Sequence, residues 1–328
     1  MSAVVMPRCA VVLCTYNGER FLPAQLESLR VQTQQPATYV LSDDASSDNT
    51  WALLEAFAAD RSSAGCEVIL HRNETNIGYV RHFEQALQRS DAELLFLCDQ
   101  DDVWHPRKIE RMASVFAARP ALRVLHGDAR LVDGEGQPSG RRLFEVLEVS
   151  ASEMEAMHSG RAFDVLLRRN IVTGAAMAMR RSLLSSALPV GDGWAHDEWF
   201  AILGAMQGEV DTLDEVVIDY RQHGGNQIGV SQRTLLQKHL GVGVGRREFL
   251  RRLVGRQERL LGHLQAQGVS GEKVDEVQDR LAHARIRAGA IVGGLGRLRQ
   301  VTCEWRTGRY ARYGSGWRSA ISDWLGLD

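Results

Sequence analysis

The stretch LLFLCDQDDVW, residues 94–104, joins a short apolar segment directly to three carboxylates. Leu94–Cys98 has five apolar residues in a row, which is typical of a buried strand. Asp99, Asp101 and Asp102 follow within four residues, and like charges this close repel unless a cation compensates for them. Carboxylate oxygens suit a hard ion such as Mg²⁺ or Mn²⁺. The stretch therefore predicts a sheet strand that ends in a divalent-metal site, and the alternative is a solvated turn.

Three more strand-like runs come before this stretch, and each is followed by apolar residues at helical spacing. The runs are Cys9–Leu13, Tyr39–Leu41 and Glu67–Leu70. Strands that alternate with helices of this kind predict right-handed βαβ units and a mainly parallel sheet, so the predicted fold class is α/β. Ligands of such sheets bind beyond the carboxyl ends of the strands.

A polar cluster follows each of these three runs, just as DQDD follows the fourth. The clusters are Cys14–Gly18 (CTYNG), Ser42–Asp48 (SDDASSD) and Arg72–Gly78 (RNETNIG). A single acidic pair is more often a turn or a helix cap than a ligand site. Four clusters at four successive strand ends favour one shared binding edge, because a purely structural explanation requires four coincidences.

The last hundred residues carry a different pattern, with apolar residues at heptad spacing. A stripe from Leu250 to Leu264 is followed by the six residues 267–272 and then by a longer a/d seam, which predicts an antiparallel helical hairpin. We therefore divide the chain into an α/β domain, residues 1–229, and an α-helical C-terminal region, residues 230–328. The seam consists of Val274, Val277, Leu281, Ala284, Ala288, Ile291, Leu295 and Leu298.

The two parts of the chain also differ in charge. Gly229–Asp328 contains 18 Lys and Arg against 9 Asp and Glu, a net charge of +9, and the preceding residues carry −11. Arginines alternate with aromatic residues near the end, a mixture that suits an anionic membrane surface. The alternatives are a solvated helix face, or aromatics that close the core of the hairpin or a homodimer interface. The aromatic residues are Trp305, Tyr310, Tyr313, Trp317 and Trp324.

Targeting signals are missing from the sequence. The apolar run 94–98 is far too short to cross a bilayer, and the first residues, MSAVVMPR, lack the features of a signal peptide. The five cysteines are scattered and form no CxxC pair, which favours structural thiols over disulfides or zinc. We expect a cytoplasmic protein, in peripheral contact with the inner membrane face if the basic region docks there, and no nucleic-acid partner.

The four clusters together resemble the signature series of inverting family 2 glycosyltransferases with the GT-A fold. CTYNG, DDASSDNT, RNETNIG and DQDDVW occur in the family's order and at similar spacing, and the resemblance covers Cys9 to Gly229. DQDDVW followed by Pro106, Lys108 and Ile109 is similar to the bacterial rhamnosyltransferase-like branch. The resemblance implies a donor half at about 1–128 and an acceptor half at about 129–229.

The resemblance also implies roles for residues on the donor side. Asp44, with Asp43, corresponds to the carboxylate that receives the N3–H of uracil or thymine, and Asp99 and Asp101 correspond to the DxD pair. Divalent Mn²⁺ or Mg²⁺ is expected on Asp101, Asp102 and His223, and the choice between Asp101 and Asp102 as the closer ligand stays open. The donor-binding set is Thr15, Tyr16, Asn17, Asp43, Asp44, Arg72, Asn76, Gly78 and Asp99.

On the acceptor side, the segment WAHDEW, residues 194–199, corresponds to the place of the family's catalytic base. Many members have Glu-Asp where this chain has His196 and Asp197, so Asp197 is the candidate base, and Glu198 is next in line. The alternative is that Asp197 caps a helix that begins there. The acceptor-side set is Gly174, Trp194, His196 and Trp199.

The implied reaction is a single displacement at the anomeric carbon, from a dTDP- or UDP-linked sugar, with dTDP-rhamnose first, to a hydroxyl of a glycan or lipid-linked acceptor. The chain lacks the QxxRW motif of processive synthases, so transfer of one sugar is expected. A dehydrogenase would need GxGxxG after the first strand, and a nucleotidyltransferase would need a basic glycine-rich loop there; neither is present. A non-catalytic nucleotide- or carbohydrate-binding protein is the remaining alternative.

Overall fold

The computed structural model describes residues 6–224, 245–289 and 295–325. The chain folds into two compact units. The first consists of Met1–Leu166, Ile171–Val190 and Ala195–Val230, and the second of Leu167–Asn170, Gly191–Trp194 and Ser231–Asp328.

The first unit begins with four parallel strands in the order β3-β2-β1-β4. Every residue of β1 and β4 is buried, and all but Thr15 are apolar, as expected of strands covered on both faces. Because β1 lies between β2 and β4, the polar clusters that follow these strands converge at one edge of the sheet. The elements are β1 (Cys9–Thr15), α1 (Leu22–Arg30), β2 (Thr38–Asp43), α2 (Thr50–Ser63), β3 (Glu67–Arg72), α3 (Tyr79–Leu87) and β4 (Leu94–Cys98).

The second half of this unit extends the same sheet with both antiparallel and parallel pairings. Strand β8 is antiparallel to both β4 and β6, β6 is parallel to β9, and the two-residue β5 is antiparallel to β9. The strands are β5 (Val103–Trp104), β6 (Leu122–Val132), β7 (Pro138–Arg142), β8 (Met177–Arg180) and β9 (Glu209–Arg221). The α-helices are α4 (Lys108–Ala118), α5 (Leu143–Val146), α6 (Ala151–His158), α7 (Ala162–Arg168), α8 (Leu184–Ala187) and α9 (His196–Gln207), and short 3₁₀ turns cover Gly174–Ala176 and Arg181–Leu183.

The second unit is helical. Its helices are Arg246–Ala266, Glu272–Gly289, Leu295–Arg306, Arg309–Tyr313 and Trp317–Leu325. Buried charges occupy its core: Asp323 accepts hydrogen bonds from Arg246, Arg287 and Tyr310, and His283 pairs with Glu304 at 2.7 Å. In the three described ranges, no helix is both long and apolar enough to cross a membrane.

The predicted fold class is confirmed: an α/β domain whose first strands are parallel is followed by C-terminal helices. The predicted seam holds from Val274 to Ala284, where all four seam residues are buried. It does not hold at Leu298, which is 43% exposed, and Ile291 lies outside the described residues. The five aromatic residues near the end of the chain differ in exposure. Tyr310 and Tyr313 are buried, whereas Trp305, Trp317 and Trp324 are 46–59% exposed.

Candidate donor and acceptor site

The loops after β1 and β2 are joined by hydrogen bonds between backbone and side chains. The Asn17 amide donates to Ser46 Oγ at 2.8 Å, and Asn17 Oδ1 accepts from the Ser47 amide at 2.8 Å. Asn17 has a positive φ of 48°, which asparagine tolerates better than most residues. The structure thus gives Asn17 a loop-fixing role in addition to its predicted place among donor-binding residues.

Asp43 and Thr15 also serve the loops themselves. Asp43 has no exposed surface and accepts from Thr15 Oγ1 at 3.0 Å and from the Ser46 amide at 2.9 Å. Arg72 lies 3.4 Å from Asp43 and donates to the Ser46 carbonyl at 2.7 Å, although its side chain stays 42% exposed. Asp43 is therefore a buried anchor, and the exposed part of Arg72 remains available to a ligand.

Asp44 directly follows β2 and accepts hydrogen bonds from the loop that follows β3. Its carboxylate accepts from Asn73 Nδ2 at 2.8 Å and from the amides of Ile77 and Gly78 at 3.0 Å each. Asn76 Oδ1 also accepts from the Gly78 amide, at 3.1 Å. Gly78 has a φ of +81°, a conformation that glycine adopts without strain. The sequence-predicted residues Asp44, Asn76 and Gly78 thus form one hydrogen-bonded group.

Gln100 is a residue to which the sequence analysis gave no role. Its side-chain amide accepts from the Tyr16 amide at 2.8 Å and donates to the Tyr16 carbonyl at 3.0 Å. This pair of hydrogen bonds fixes the backbone of Tyr16 in the same way as pairing with a neighbouring β-strand. A Cβ added at Gly18 would lie 2.3 Å from Gln100 Oε1. The Tyr16 ring, 43% exposed, is thereby presented at the strand ends. The sequence signal for this contact was the glycine in CTYNG together with the glutamine inside DQDD.

The three carboxylates of DQDD have different surroundings. Asp101 Oδ2 lies 2.9 Å from His223 Nε2, and both side chains are about five-sixths buried. Asp102 is 1% exposed, accepts from the Arg221 amide at 3.0 Å, and its Oδ2 is buried without a hydrogen-bond partner. Burial, together with the charges of Asp101 and Asp99, raises the pKa of Asp102 well above its usual range. For Asp99, burial and then the charges of Asp101 and Asp197 raise the pKa to about 7.

Arg221 is the second residue that sequence reasoning missed. Besides its amide contact with Asp102, its Nε donates to the Asp101 carbonyl at 2.9 Å and its Nη1 donates to the Gly134 carbonyl at 3.2 Å. The guanidinium lies 5.1 Å from the Phe21 ring centroid, and Phe21 also stacks against His223 at 4.4 Å. Strand β9 therefore fixes both the acidic turn and the histidine that faces it.

A divalent ion fits part of this arrangement. Asp101 Oδ2 and His223 Nε2 form a hydrogen bond of 2.9 Å, and adjacent ligands of an octahedral ion about 2.1 Å from each lie about 3.0 Å apart, so both atoms could bind one ion with little movement. The unpartnered Asp102 oxygen and the mutual repulsion of the carboxylates also favour a cation. Among the described residues, no group of three or more His, Cys, Asp or Glu side chains forms a complete metal site. Oxygens from a bound diphosphate or from water would have to complete the shell.

Asp197 lies within electrostatic reach of this cluster, as its effect on Asp99 shows. Its Oδ2 accepts from the Gly174 amide at 2.9 Å and its Oδ1 from the Glu198 amide at 2.8 Å. Helix α9 begins at His196 with Ala195 as its N-cap, so Asp197 is a first-turn residue and not the cap itself. Tyr79, whose pKa is raised by burial and by the charges of Asp197 and Glu198, lies on the same side and had not been anticipated.

The other acceptor-side residues are more deeply buried than expected. His196 is 6% exposed, stacks on Phe83 at 4.2 Å, and has its pKa lowered by burial to about 3. Trp199 has no exposed surface and its indole donates to the Ala187 carbonyl at 2.6 Å, so it belongs to the core and cannot line a sugar site in this conformation. Trp194 belongs to the helical unit, where it donates to the Arg256 carbonyl at 3.0 Å.

Comparison with known families agrees with this geometry. Residues 10–187, more than half of the chain, match the family described as "Glycosyl transferase family 2". The chain belongs to this family. The assignment to a transferase, expected from the four polar clusters, is thereby confirmed.

Three related proteins match this chain at low identity, and two of them carry a glycosyltransferase name. An uncharacterised glycosyltransferase of Nostoc is 26% identical over 229 residues, 67% of this chain and 66% of that protein. The protein of Shigella flexneri named dTDP-rhamnosyl transferase RfbG is 23% identical over 258 residues, 74% of this chain and 82% of that protein. An uncharacterised protein of Mycobacterium tuberculosis is 25% identical over 65% of this chain, and the matched part spans only 58% of its length.

Among solved structures, S. aureus TarS 1–349 shares the fold. In complex with UDP-GlcNAc it aligns with a TM-score of 0.58 and 17% identity, covering 93% of this chain and 81% of TarS 1–349. Its complex with UDP aligns with a TM-score of 0.56, also at 17% identity, covering 97% of this chain and 80% of the other. These alignments confirm the GT-A architecture.

Proposed function

We propose that the chain is an inverting, metal-dependent glycosyltransferase that moves one sugar from a nucleoside diphosphate to a hydroxyl of a glycan or lipid-linked acceptor. One observation carries the proposal: in a chain of family 2, Asp197, in the first turn of α9, is near enough to the DQDD turn for its charge to raise the pKa of Asp99. Asp102 is the fully buried member of this group, and the free energy that its desolvation costs would be offset by a bound cation.

Asp197 is the base in this proposal. The amides of Gly174 and Glu198 each donate to one of its oxygens, which fixes the orientation of the carboxylate. A positioned base of this kind contributes roughly 10²–10⁴-fold by accepting the proton of the attacking hydroxyl. Asp101 and His223 would hold the divalent ion, with Asp102 beside them, and such an ion supplies charge neutralisation for a departing diphosphate.

The donor is proposed to be a pyrimidine diphosphate sugar, dTDP-rhamnose first and UDP-linked sugars second. The name of the Shigella relative supports the first choice, and the UDP-GlcNAc complex of TarS supports the second. Tyr16 and Asp44 would receive the base, and the exposed part of Arg72 could reach the phosphates.

The proposed function is tested by donor binding and donor hydrolysis. A thermal-shift screen of UDP-, dTDP-, GDP- and CMP-sugars with Mn²⁺ should show stabilisation by a pyrimidine diphosphate sugar that EDTA removes. Nucleoside diphosphate release should then follow in the presence of Mn²⁺. Turnover of a GDP-sugar alone would overturn the donor assignment, and binding without any release would favour the non-catalytic alternative.

A peripheral membrane contact is a second part of the proposal, supported by the surface of the C-terminal helices. Within Leu295–Leu325, all of it described, the acidic residues Glu304 and Asp323 are 4% exposed and engaged in internal ion pairs. Arg309 and Arg312 pair with Asp279 and Glu276 of helix Glu272–Gly289, and the exposed Arg299, Arg306 and Arg318 add further positive charge to this surface. The last helix shows Trp317, Ile321, Trp324 and Leu325 at 41–59% exposure, on one helical face. An anionic lipid surface at the cytoplasmic face of the inner membrane complements both features.

Co-sedimentation with vesicles tests this contact. Vesicles of phosphatidylglycerol and phosphatidylcholine should bind the protein at low salt, and binding should weaken at high salt. Serine at both Trp317 and Trp324 should abolish binding, whereas Phe249→Ser, at a residue 54% exposed on helix Arg246–Ala266, should not. Concentration-dependent dimerisation without vesicle binding would assign the same face to a homodimer instead.

A further inference from the structure

Lys108 is a buried lysine that the proposed chemistry has not used. It is the first residue of α4 and only 1% exposed. Its Nζ donates to the Ala175 carbonyl at 2.6 Å and lies 3.5 Å from the centroid of the Trp104 ring. An ammonium group is costly to bury unless hydrogen bonds and opposite charges compensate for the loss of water. The contacts of Lys108 should therefore show what compensates for the burial of its ammonium group.

Negative charge reaches Lys108 from the acidic turn. Burial lowers the pKa of Lys108 to about 7, and the carboxylates of Asp102 and Asp99 act in the opposite direction by favouring its charged form. In return, the ammonium group lowers the pKa values of both carboxylates against the larger effect of burial. Lys108 is thus an internal counter-charge for the DQDD turn.

The other contact of Lys108 leads to the base. Ala175 is the middle residue of the 3₁₀ turn Gly174–Ala176, and the Gly174 amide at its start donates to Asp197 Oδ2 at 2.9 Å. The turn has little room to shift, because a Cβ added at Gly174 would lie 3.1 Å from His196 Nε2 and 3.4 Å from Asp197 Cβ. A displacement of Ala175 would consequently shift the Gly174 amide and, through its hydrogen bond, the carboxylate of Asp197.

We propose that Lys108 is a positioning residue for sugar transfer, holding the turn Gly174–Ala176 so that Asp197 keeps a fixed place relative to the acidic turn. The inference rests on the proposed function. Lys108 does not touch the reacting atoms; it acts through the Ala175 carbonyl on one side and through its charge near Asp99 and Asp102 on the other.

The first test is Lys108→Met, which keeps the length of the side chain and removes its charge and hydrogen bonds. Misplacing a catalytic group by about 1 Å can cost 10²-fold, so kcat for Mn²⁺-dependent donor hydrolysis should fall about 10- to 100-fold, with donor KM changed less than about threefold. Met112→Ala, at a fully buried residue of the same helix, is the matched control and should lower stability but not kcat. An unchanged kcat per donor-binding molecule would overturn the proposal.

A double-mutant cycle separates positioning from general stability. If Lys108 acts through Asp197, adding Lys108→Met to Asp197→Asn should lower kcat little further, whereas multiplicative losses would show that the two residues act independently and would overturn the proposal. Lys108→Arg, which keeps the charge and the donors, should retain more activity than Lys108→Met; equal losses would also count against it. If the methionine variant does not fold, Lys108→Gln replaces it with the same expectations, because its shorter side chain does not reach Ala175.

A crystal structure of Lys108→Met gives a readout that needs no turnover. The distance from the Gly174 amide to Asp197 Oδ2, 2.9 Å in the wild type, should lengthen beyond hydrogen-bonding range. An unchanged distance would overturn the positioning role. If the wild-type protein hydrolyses no nucleotide sugar, the proposed function has failed, and this distance still decides whether Lys108 holds the turn.

Discussion

Asp197→Asn is the substitution that separates a catalytic role of this residue from a structural one. Both oxygens of the carboxylate accept a backbone amide, one from Gly174 and one from Glu198. Asparagine offers one acceptor oxygen and one NH₂ group, so one of the two amides would face another donor. Leaving a partly buried donor unsatisfied costs about 1–3 kcal/mol, and we expect the free energy of unfolding to fall by that amount.

The loss of a catalytic base would have a larger effect, and it would appear in the turnover rate and not in the free energy of unfolding. Removing a general base lowers turnover by roughly 10²–10⁴-fold, equivalent to about 2.7–5.4 kcal/mol in the activation barrier. A purely structural Asp197 would lower the fraction of folded protein but leave the rate per folded molecule nearly unchanged. The rate per donor-binding molecule therefore distinguishes the two roles.

The assay is donor hydrolysis or transfer at saturating nucleotide sugar and Mn²⁺, at a temperature well below the unfolding midpoint. Calorimetric titration with donor counts the molecules that are folded. Glu198→Gln, at the neighbouring carboxylate of the same helical turn, is the control and should keep nearly full turnover. If Asp197→Asn retains more than about a tenth of wild-type turnover, Asp197 is not the base. A large loss in Glu198→Gln would then move the assignment to Glu198.

Three further outcomes are expected. Asp101→Ala should abolish Mn²⁺-dependent donor binding without unfolding the protein, and calorimetry showing wild-type affinity would exclude Asp101 as a metal ligand. Gly18→Ala places a Cβ 2.3 Å from Gln100 Oε1 and should lower the free energy of unfolding by about 1–3 kcal/mol in urea titrations; Gly262→Ala, in a helix with open space around it, should instead be neutral or stabilising by up to about 1 kcal/mol. Burial lowers the pKa of His126 from 6.5 to about 3, so the stability contributed by its neutral form is complete above pH 6.5 and is lost as the pH falls towards 3. Between pH 7.5 and 5.5 the free energy of unfolding of the wild type should fall by about 1.4 kcal/mol more than that of His126→Leu. Equal pH dependence of the two proteins in urea unfolding would contradict this expectation.

The local part of the fold was predictable from sequence because it depends on neighbouring residues. Strand β4 spans Leu94–Cys98 in the structure, as its apolar run predicted. The convergence of the four polar clusters also follows from the βαβ pattern, since parallel strands share one carboxyl edge. The parts that failed depend on pairing between distant segments. Arg221 reaches the acidic turn only because β9 pairs with β5, more than a hundred residues away in the chain, and no local pattern encodes that register.

The burial of Trp199 follows from the geometry of the helix that begins at His196. Successive residues of a helix are rotated by about 100°, so Asp197 and Trp199 point to nearly opposite sides of α9. If Asp197 faces the site, Trp199 must face the core, where the structure has it. The aromatic residues near the end of the chain carry no comparable signal, because the sequence does not say which of them the helices bury.

The hydrogen bonds around Asp44 have a consequence for which nucleobases the chain could distinguish. A carboxylate has about four lone-pair sites, and four contacts of 2.8–3.1 Å from Asn73, Ile77 and Gly78 already occupy those of Asp44, which is 1% exposed. A nucleobase N–H could bind Asp44 only in place of one of these donors. Uracil and thymine both present an imide N–H to such an acceptor, whereas N3 of neutral cytosine has no hydrogen and would repel it. If Asp44 accepted the base in this way, it would reject cytidine nucleotides but would not separate uridine from thymidine. That choice would fall to whatever surrounds the 5-methyl group and the 2′-hydroxyl, which makes the walls around Tyr16, and not Asp44, the place to alter in order to exchange one donor for the other.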